Sequence, residues 1–307
     1  RDLVRSRGLG DVYKRQPFLA IRSFFVGITH TKALSCSAVT AVAINIPLNY
    51  LLIFTLGLGI SGAAIASSLA EMGSLIVLCI YTGVKIDKDK YGLKPVYDGR
   101  LLVKVLNLSV WSMLHAFISV APWFLFFVAI EHLGKTELAI SNITRSVSAL
   151  FFVIANSFAV TTGSLVSNAI GAGGRKELFP ICHKVLKLGY IIGFPLVGIA
   201  LLCNRCIVGF YTDSELLVEL AFAPFVVMLL NYTFALPGYV YLNAVGGTGK
   251  TKITFLFQVT TTCVYLVYLY WLSFCIDASL PLYLTAEYLF VILLALQSII
   301  YLKSKHY

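Results

Sequence analysis

The sequence predicts an all-α polytopic membrane protein, and three observations support this fold class. Of the 307 residues, 59% are hydrophobic and only 12% are charged, with a mean hydropathy of +0.86. Soluble domains carry about 25% charged residues, so this chain has too little charge to cover a water-facing surface. Its apolar residues form runs of about 20 or more, the length with which an α-helix crosses a bilayer. Finally, the connections between these runs are alternately rich and poor in Lys and Arg.

The first sixteen residues stand outside this pattern. Segment 1–16 carries five Lys or Arg and two Asp, with neither a helical period nor a signal-peptide core. It resembles a translated adapter left by sequencing or assembly, and the alternative is a native basic or disordered tail. We exclude it from the fold prediction, which lowers the net charge from +10 for the whole chain to +7 for the remainder.

Eight full-length apolar stretches follow a shorter one at 17–28. The glycine-rich segment 57–62 separates the first two, because it is too flexible to continue a helix. The eight stretches are 34–56, 60–84, 103–130, 138–169, 183–203, 216–245, 254–276 and 281–302. We therefore predict eight transmembrane helices and the end of another.

The basic residues predict the orientation of these helices. Beyond the first sixteen residues, Lys135, Arg145 and Arg205 lie toward one side of the predicted membrane. All the others flank the opposite side: Arg22, Lys32, Lys85, Lys88, Lys90, Lys94, Arg100, Lys104, Arg175, Lys176, Lys184, Lys187, Lys250, Lys252, Lys303 and Lys305. By the positive-inside rule, the basic loops and the C-terminus are cytoplasmic, so the surplus charge indicates topology rather than nucleic-acid binding.

One segment occurs twice in the chain, 220 residues apart. Pro17–Lys32 aligns without gaps with Pro237–Lys252, and both end a predicted helix on the cytoplasmic side. Four aligned pairs are identical: Pro17/Pro237, Gly27/Gly247, Thr31/Thr251 and Lys32/Lys252. Internal repeats are typical of secondary transporters. We expect two related halves, the first of which lacks the three helices that would precede residue 17.

Three motifs then resemble one transporter family. Segments 45–54 (NIPLNYLLIF), 59–67 (GISGAAIAS) and 165–173 (LVSNAIGAG) are similar to the fifth, sixth and eighth helices of the multidrug and toxic compound extrusion (MATE) transporters. The resemblance covers residues 17–307, and segments 123–127 and 138–145 look most like bacterial branches. It implies the back part of a twelve-helix fold with two six-helix lobes.

The resemblance also implies a domain organisation and an activity. Residues 17–84 would be the remainder of the N-lobe, 85–102 the cytoplasmic linker and 103–307 the C-lobe. MATE transporters exchange protons or sodium ions for amphipathic, often cationic compounds. We therefore expect a monomeric, multi-pass inner (plasma) membrane antiporter whose partners are such small molecules and the lipid bilayer.

Two positions depart from the family pattern. Sodium-coupled members carry a glutamate on the seventh helix and an aspartate on the tenth, where this chain aligns Ser119 and Ala235. The resemblance therefore disfavours a cation site in the C-lobe. Proton-coupled members place their key aspartate on the first helix, which would precede this chain. We expect proton rather than sodium coupling, with its chemistry in the missing part and this fragment inactive alone.

Glu71 is the first candidate for a functional polar group. It lies eleven residues into its apolar stretch and is interpreted as the only carboxylate near the middle of the membrane. An ionised side chain there is costly unless it is paired or hydrated. Glu71 is either a titrating group in a cavity or a protonated residue that hydrogen-bonds to a neighbouring helix.

The stretch 138–169 contributes a polar stripe. Arg145 lies about two turns inside it, with Asn142, Ser148 and Asn156 along the helix. These side chains would line a cavity, although Arg145 could instead extend to the nearby outer surface. His115, one turn from Ser119, is either a titrating group or a structural hydrogen-bonding one.

The remaining motifs predict no cofactor, nucleotide or metal. Segment 246–251 (GGTGKT) imitates a phosphate-binding loop, but it lacks the first glycine and follows a helix rather than a strand. Cys203 and Cys206 form a single CxxC pair without a second pair. The scattered polar residues Asn231, Asn243, Gln258 and Gln297 are interpreted as interhelical hydrogen-bonding groups.

Three other functions remain open at this point. A flippase for lipid-linked saccharides, from a related superfamily, would need a large basic cavity. A membrane-embedded enzyme would need catalytic groups that converge on facing helices, and we expect none. A structural scaffold would need every polar residue satisfied and no cavity.

Overall fold

The protein is described by a computed structural model that covers residues 16–87, 89–92, 97–276 and 278–304. The described residues form helices and turns, without a β-strand. Eight of the helical segments within these ranges are long and apolar enough to cross a membrane. The predicted all-α fold with eight transmembrane helices is therefore confirmed. Segment 1–15, most of the predicted adapter or tail, lies outside the described residues.

The helices begin and end close to the predicted apolar boundaries. We number them α1 (16–27), α2 (Thr31–Asn49), α3 (Gly59–Lys85), α4 (Gly99–Ile130), α5 (Lys135–Gly171), α6 (Leu178–Leu202), α7 (Asn204–Gly209), α8 (Glu215–Leu220), α9 (Phe222–Leu230), α10 (Tyr232–Gly247), α11 (Thr251–Phe274) and α12 (Leu280–Lys303). A π-helical segment, Tyr50–Thr55, extends α2, and helices α8 to α10 together make one span, Glu215–Gly247.

Helix α4 begins before its predicted boundary at residue 103. Asp98 precedes the helix, and its carboxylate accepts hydrogen bonds from the backbone N–H groups of Arg100 (2.9 Å) and Leu101 (3.2 Å). Such a cap satisfies donors that have no partner within the first turn of a helix. Hydropathy marks only the apolar part of a helix, so the predicted start at residue 103 is later than the observed one at Gly99.

The chain divides into two compact units between Tyr97 and Asp98. This boundary falls within the predicted linker 85–102. The assignment of the two units to the N-lobe and the C-lobe stays a prediction.

In the first unit, small residues let α2 and α3 approach closely. The buried residues of α3 recur every four positions and form one stripe: Gly62, Ala66, Ala70, Ser74 and Leu78. At the centre, the hydroxyls of Ser37 and Ser74 hydrogen-bond across the two helices, and Ser74 also donates to the Ser37 carbonyl at 3.0 Å. Interfaces of small residues joined by polar hydrogen bonds are typical of membrane helices, because the hydrophobic effect does not drive helices together within lipid.

In the second unit, α10 packs against α5, α6 and α12 and carries many of the buried residues. Helix α6 offers Gly189 and Gly193, which leave room for the side chains of Leu236 and Tyr232. The Tyr232 hydroxyl donates to the Gly189 carbonyl at 2.9 Å. The Tyr190 hydroxyl donates in the opposite direction, to the Thr233 carbonyl at 2.7 Å. These bonds hold α10 in one register against α6.

The sequence repeat corresponds to the same local backbone conformation in both units. Helix α1 ends at residue 27 and α2 begins at Thr31, while α10 ends at Gly247 and α11 begins at Thr251. The connecting residues Thr29 and Gly249 both have positive φ, +55° and +80°. Each donates its N–H to the carbonyl three residues earlier, at 3.1 and 2.9 Å. The offset of 220 is thus kept through the whole helix-turn-helix segment.

Candidate functional site

The second unit encloses a cavity of about 330 Å³ among α4, α5, α9, α10 and α12. The residues that line it are Ser119, Pro122, Trp123, Arg145, Ser148, Ala149, Phe151, Phe152, Ala155, Met228, Asn231, Tyr232, Ala235, Tyr239, Glu287 and Phe290. Its volume lies at the lower end of the range of small-molecule sites, which combine apolar walls with a few polar groups.

An ion pair between α5 and α12 supplies the charges of this cavity. Arg145 Nη2 lies 3.2 Å from Glu287 Oε1, and the two side chains are only 10% and 15% exposed. The Arg145 guanidinium also lies over the rings of Phe126 (4.4 Å) and Phe127 (5.3 Å) of α4. A charge buried in a membrane helix requires such partners, and this arrangement gives Arg145 both a carboxylate and aromatic faces.

Tyr265 of α11 is a second side chain within hydrogen-bond distance of the Glu287 carboxylate. Its side chain is fully buried, and its hydroxyl lies 3.4 Å from both Glu287 Oε1 and the Pro122 carbonyl oxygen, either of which can accept its hydrogen bond. Glu287 therefore lies within reach of donors from two helices, Arg145 of α5 and Tyr265 of α11. We infer that its carboxylate is held in one orientation toward the cavity.

Aromatic rings form much of the remaining wall. Phe152 of α5 and Tyr239 of α10 meet edge to face, with their ring centroids 5.4 Å apart. Trp123 packs in the same manner against Phe127 at 5.2 Å. These rings present apolar faces beside the ion pair, as an amphipathic ligand requires.

Asn231 adds a hydrogen-bonding group that its surroundings do not satisfy. It lies between α9 and α10 and is 8% exposed. Among the residues that the structure describes, none donates a hydrogen bond to the side-chain oxygen Oδ1 of Asn231. Nη1 of Arg145 also has no hydrogen-bond acceptor among these residues. Buried polar atoms are rarely left without a partner, so these two atoms indicate capacity for a ligand or water.

The structure brings only some of the predicted site residues to this cavity. Arg145, Ser119 and Ser148 line it, and Arg145 pairs with Glu287 instead of extending to the outer surface. Asn142 and Asn156 are exposed and do not contribute to the described lining. The predicted polar stripe of α5 is therefore divided between two faces.

His115 and Glu71 lie elsewhere. His115 is half-buried on α4, and its Nε2 atom has no hydrogen-bond partner among the described residues, but it does not line the cavity. Glu71 is half-buried on α3, in the first unit. Their functional roles stay predictions.

Glu287 is a second carboxylate within a predicted span. Glu71 is interpreted as the only carboxylate near the middle of the membrane, and Glu287 lies nearer the end of the span 281–302, where it is the partner of Arg145. The sequence did contain a signal. Both 138–169 and 281–302 run inward from the predicted outer side, and Arg145 and Glu287 each lie about two turns inside. Opposite charges at equal depth predict an ion pair.

Asn231 also belongs to the cavity, although its sequence pattern predicts only an interhelical hydrogen-bonding group, like Asn243, Gln258 and Gln297. Its position between two helices, four residues before Ala235, places it in the cavity wall. Ser119 and Ala235, which the sequence resemblance places at the cation-binding positions of sodium-coupled members, both line the same cavity. Neither carries a carboxylate.

Other features of the second unit lack this combination. A more open groove of about 510 Å³ between α4 and α11 is lined mainly by apolar side chains such as Leu125, Val128 and Leu266. In the described ranges, no group of three or more His, Cys, Asp or Glu residues could hold a metal ion. Segment 246–251 continues α10 into a turn, so the strand that a phosphate-binding loop requires does not precede it.

Several known proteins are similar to this chain. Protein DETOXIFICATION 49 of Arabidopsis thaliana is 25% identical over 272 residues, which are 84% of this chain and 53% of that protein. The multidrug resistance protein NorM of Aliivibrio fischeri is 22% identical over 258 residues, 81% of this chain and 55% of that protein. The chain thus spans about half the length of these relatives. Because they come from both a plant and a bacterium, the bacterial origin stays a prediction.

Solved structures share the fold. A eukaryotic MATE transporter, AtDTX14, has a TM-score of 0.78 at 18% identity, with 92% of this chain and 64% of that one covered. A MOP superfamily transporter from Pyrococcus furiosus has a TM-score of 0.76 at 18% identity, with 88% and 62% covered. The MatE family model matches residues 112–271, more than half of the chain. This chain therefore belongs to the MatE family, the multidrug and toxic compound extrusion transporters that its motifs resemble.

Proposed function

We propose that the protein is part of a secondary antiporter that exports amphipathic compounds in exchange for protons by alternating access. The observation that carries this proposal is the cavity of the second unit, where the Arg145–Glu287 pair lies beside aromatic walls. Such a site offers polar and apolar contacts to one ligand at membrane depth. The membership of the MatE family supports the same function.

The cavity is poorly suited to bind a coupling sodium ion, which supports protons as the coupling ion. Ser119 and Ala235 offer no carboxylate, and Glu287, the carboxylate among the described lining residues, is already paired with Arg145. A sodium ion requires several oxygen ligands and would have to displace the guanidinium. We propose that the coupling group lies outside this cavity.

The proposed setting is the plasma membrane, with a monomeric protein and a cytoplasmic C-terminus. The alternation of basic loops supports this orientation. The flippase alternative is less well supported, because Arg145 is the basic residue of the described lining and is neutralised by Glu287. We also propose that the 307-residue chain does not transport alone, since it spans about half of its relatives.

Proteoliposomes test the proposal. The gene completed upstream of residue 17 would be reconstituted into vesicles with an acidic lumen, and uptake of fluorescent ethidium and Nε-dansyl-lysine would be followed. Ethidium has a permanent charge, so it does not accumulate simply as a weak base. We expect uptake of at least one probe with a pH gradient and none with a sodium gradient at equal pH. The 307-residue chain and protein-free vesicles serve as controls.

Two results would contradict this proposal. If the completed protein moved neither probe under a pH gradient, proton-coupled efflux would be wrong. If only a sodium gradient drove uptake, the assigned coupling ion would be wrong.

A further inference from the structure

We propose that the cavity of the second unit selects zwitterionic amphipathic molecules over simple cations. A ligand carboxylate would pair with Arg145, a ligand ammonium would pair with Glu287, and the apolar body would lie against the aromatic wall. This inference rests on the proposed function only in taking the cavity as the substrate site, and it specifies the substrate class.

The first argument is the charge balance of the cavity. Glu287 is the acidic residue of the described lining, and Arg145 Nη2 lies 3.2 Å from its carboxylate. The two charges largely cancel for a ligand that approaches from a distance. A simple cation would have to compete with the guanidinium for Glu287, and success would leave Arg145 buried without a counter-charge. Such a separated charge is strongly unfavourable in a poorly hydrated site.

A zwitterion avoids this penalty because it replaces both partners together. Its carboxylate compensates Arg145 while its ammonium compensates Glu287, so no buried charge is left alone. Arg145 can use more than one donor, as Nη1 has no hydrogen-bond partner among the described residues. Guanidinium groups bind carboxylates with two parallel hydrogen bonds, which adds orientation to the attraction. Asn231 Oδ1, also without a described partner, can accept a further bond from the ammonium.

The aromatic groups do not favour a cation over a zwitterion. The faces of Phe126 and Phe127 are engaged by Arg145, at 4.4 and 5.3 Å from their centroids. Phe152 and Tyr239 are paired edge to face in the cavity wall. The remaining aromatic surface provides apolar contact for a planar body, and the volume of about 330 Å³ suits one ring system with a short charged arm.

Three dansyl probes with the same fluorophore and the same alkyl arm test the proposal. Nε-dansyl-lysine is a zwitterion, dansylcadaverine lacks its carboxylate, and N-dansyl-6-aminohexanoate lacks its ammonium. Binding to the purified 307-residue chain in detergent would be measured from dansyl fluorescence. We expect dansyl-lysine to bind about tenfold or more tightly than either of the other probes, because each of them loses one charge-assisted interaction.

Each single substitution of the ion pair should remove the preference for dansyl-lysine, and the two substitutions should favour different singly charged probes. Arg145→Gln frees Glu287, so dansylcadaverine should bind more tightly and dansyl-lysine more weakly. Glu287→Gln frees Arg145, so N-dansyl-6-aminohexanoate should gain instead. The neutral double variant Arg145→Gln/Glu287→Gln should bind the three probes equally, and it keeps the test valid if a single variant does not fold. Glu219→Gln, at an exposed site outside the cavity, is the matched control.

Several results would overturn the inference. These are equal binding of the three probes, tighter binding of dansylcadaverine to the unsubstituted protein, no saturable binding of dansyl-lysine, or an unchanged preference in the folded double variant. The measurement needs no transport, so it is independent of the vesicle experiment. If the completed protein transports but the probes show no such preference, only the proposed substrate class is wrong. If the probes bind as expected but the completed protein does not transport, only the proposed antiport is wrong.

Discussion

Gly247 of α10 lies directly against the backbone of Gly163 of α5. A Cβ atom placed on Gly247 would be 2.5 Å from the Gly163 carbonyl oxygen, and one placed on Gly163 would be 3.1 Å from the Asn243 carbonyl oxygen. Neither contact involves a flexible side chain that could move aside. Such glycine crossings let membrane helices approach more closely than larger residues allow.

We therefore expect Gly247→Ala to destabilise the second unit by about 1–3 kcal/mol, because the helices must separate to accommodate the methyl group. Gly198→Ala on α6 is the control, since a Cβ atom there meets nothing within 4 Å. That change should stabilise by up to about 1 kcal/mol through helix propensity. Thermal unfolding of both variants in detergent measures the difference, and equal midpoints would contradict the close crossing.

The Arg145–Glu287 pair should behave as one unit in a double-mutant cycle. Arg145→Met leaves the Glu287 carboxylate without its guanidinium, and we expect a loss of about 3 kcal/mol. The double variant Arg145→Met/Glu287→Met removes both charges and should recover most of that loss. Denaturant unfolding of the unsubstituted protein, the single variants Arg145→Met and Glu287→Met, and the double variant gives the coupling free energy. Strictly additive effects would mean that the 3.2 Å contact does not contribute to stability.

The serine pair in the first unit should have a smaller effect. Ser37→Ala and Ser74→Ala each remove one hydroxyl from the buried contact between α2 and α3. Interhelical hydrogen bonds in membrane proteins contribute about 0.6 kcal/mol on average, so we expect a coupling of that order between the two substitutions. Ser112→Ala is the control, because the exposed Ser112 hydroxyl bonds to a carbonyl of its own helix. A coupling of zero would contradict the pairing.

The predicted orientation can be tested with cysteines that the chain already contains. Cys203 and Cys206 are exposed around the junction of α6 and α7, on the side opposite to the basic loops. With the other native cysteines replaced, we expect a membrane-impermeant maleimide to label them from outside intact cells that express the protein. Lys176→Cys, in the exposed turn between α5 and α6, should be labelled only after the membrane is opened, in a background from which all native cysteines are removed, including the exposed Cys275 at the end of α11. The reverse pattern would contradict the positive-inside assignment.

Most of the fold could be predicted from the sequence, because membrane helices are marked locally. Each apolar run is long enough to cross a bilayer, where only a helix satisfies its own backbone, so the eight spans followed from composition alone. The repeat was equally local. Thr29 and Gly249 are equivalent positions in two copies of one helix-turn-helix segment, and the alignment of sixteen consecutive residues is enough to detect the repeat. The early start of α4 was missed because its cap is polar.

The candidate site depended on contacts between distant segments. Arg145 was selected as a charge in an apolar span, but whether it faced a cavity or the outer surface depended on α12, 142 residues away. Asn231 had no distinguishing pattern, since its cavity position arises where α9 meets α10. Asn142 and Asn156 share the helix of Arg145 yet are exposed, because helical spacing predicts a face and not what packs against it.

By itself, the sequence determined that this is a multi-pass all-helical membrane protein, where its helices lie and which family it resembles. The physical reason is that hydropathy, helix length and turn residues act within one segment. Only the tertiary structure decided that Arg145 and Glu287 neutralise each other inside a cavity with aromatic walls. The electrostatic effect of a charged side chain on a ligand in a membrane protein depends on its nearest counter-charge. The packing of helices that are far apart in the chain determines which counter-charge that is.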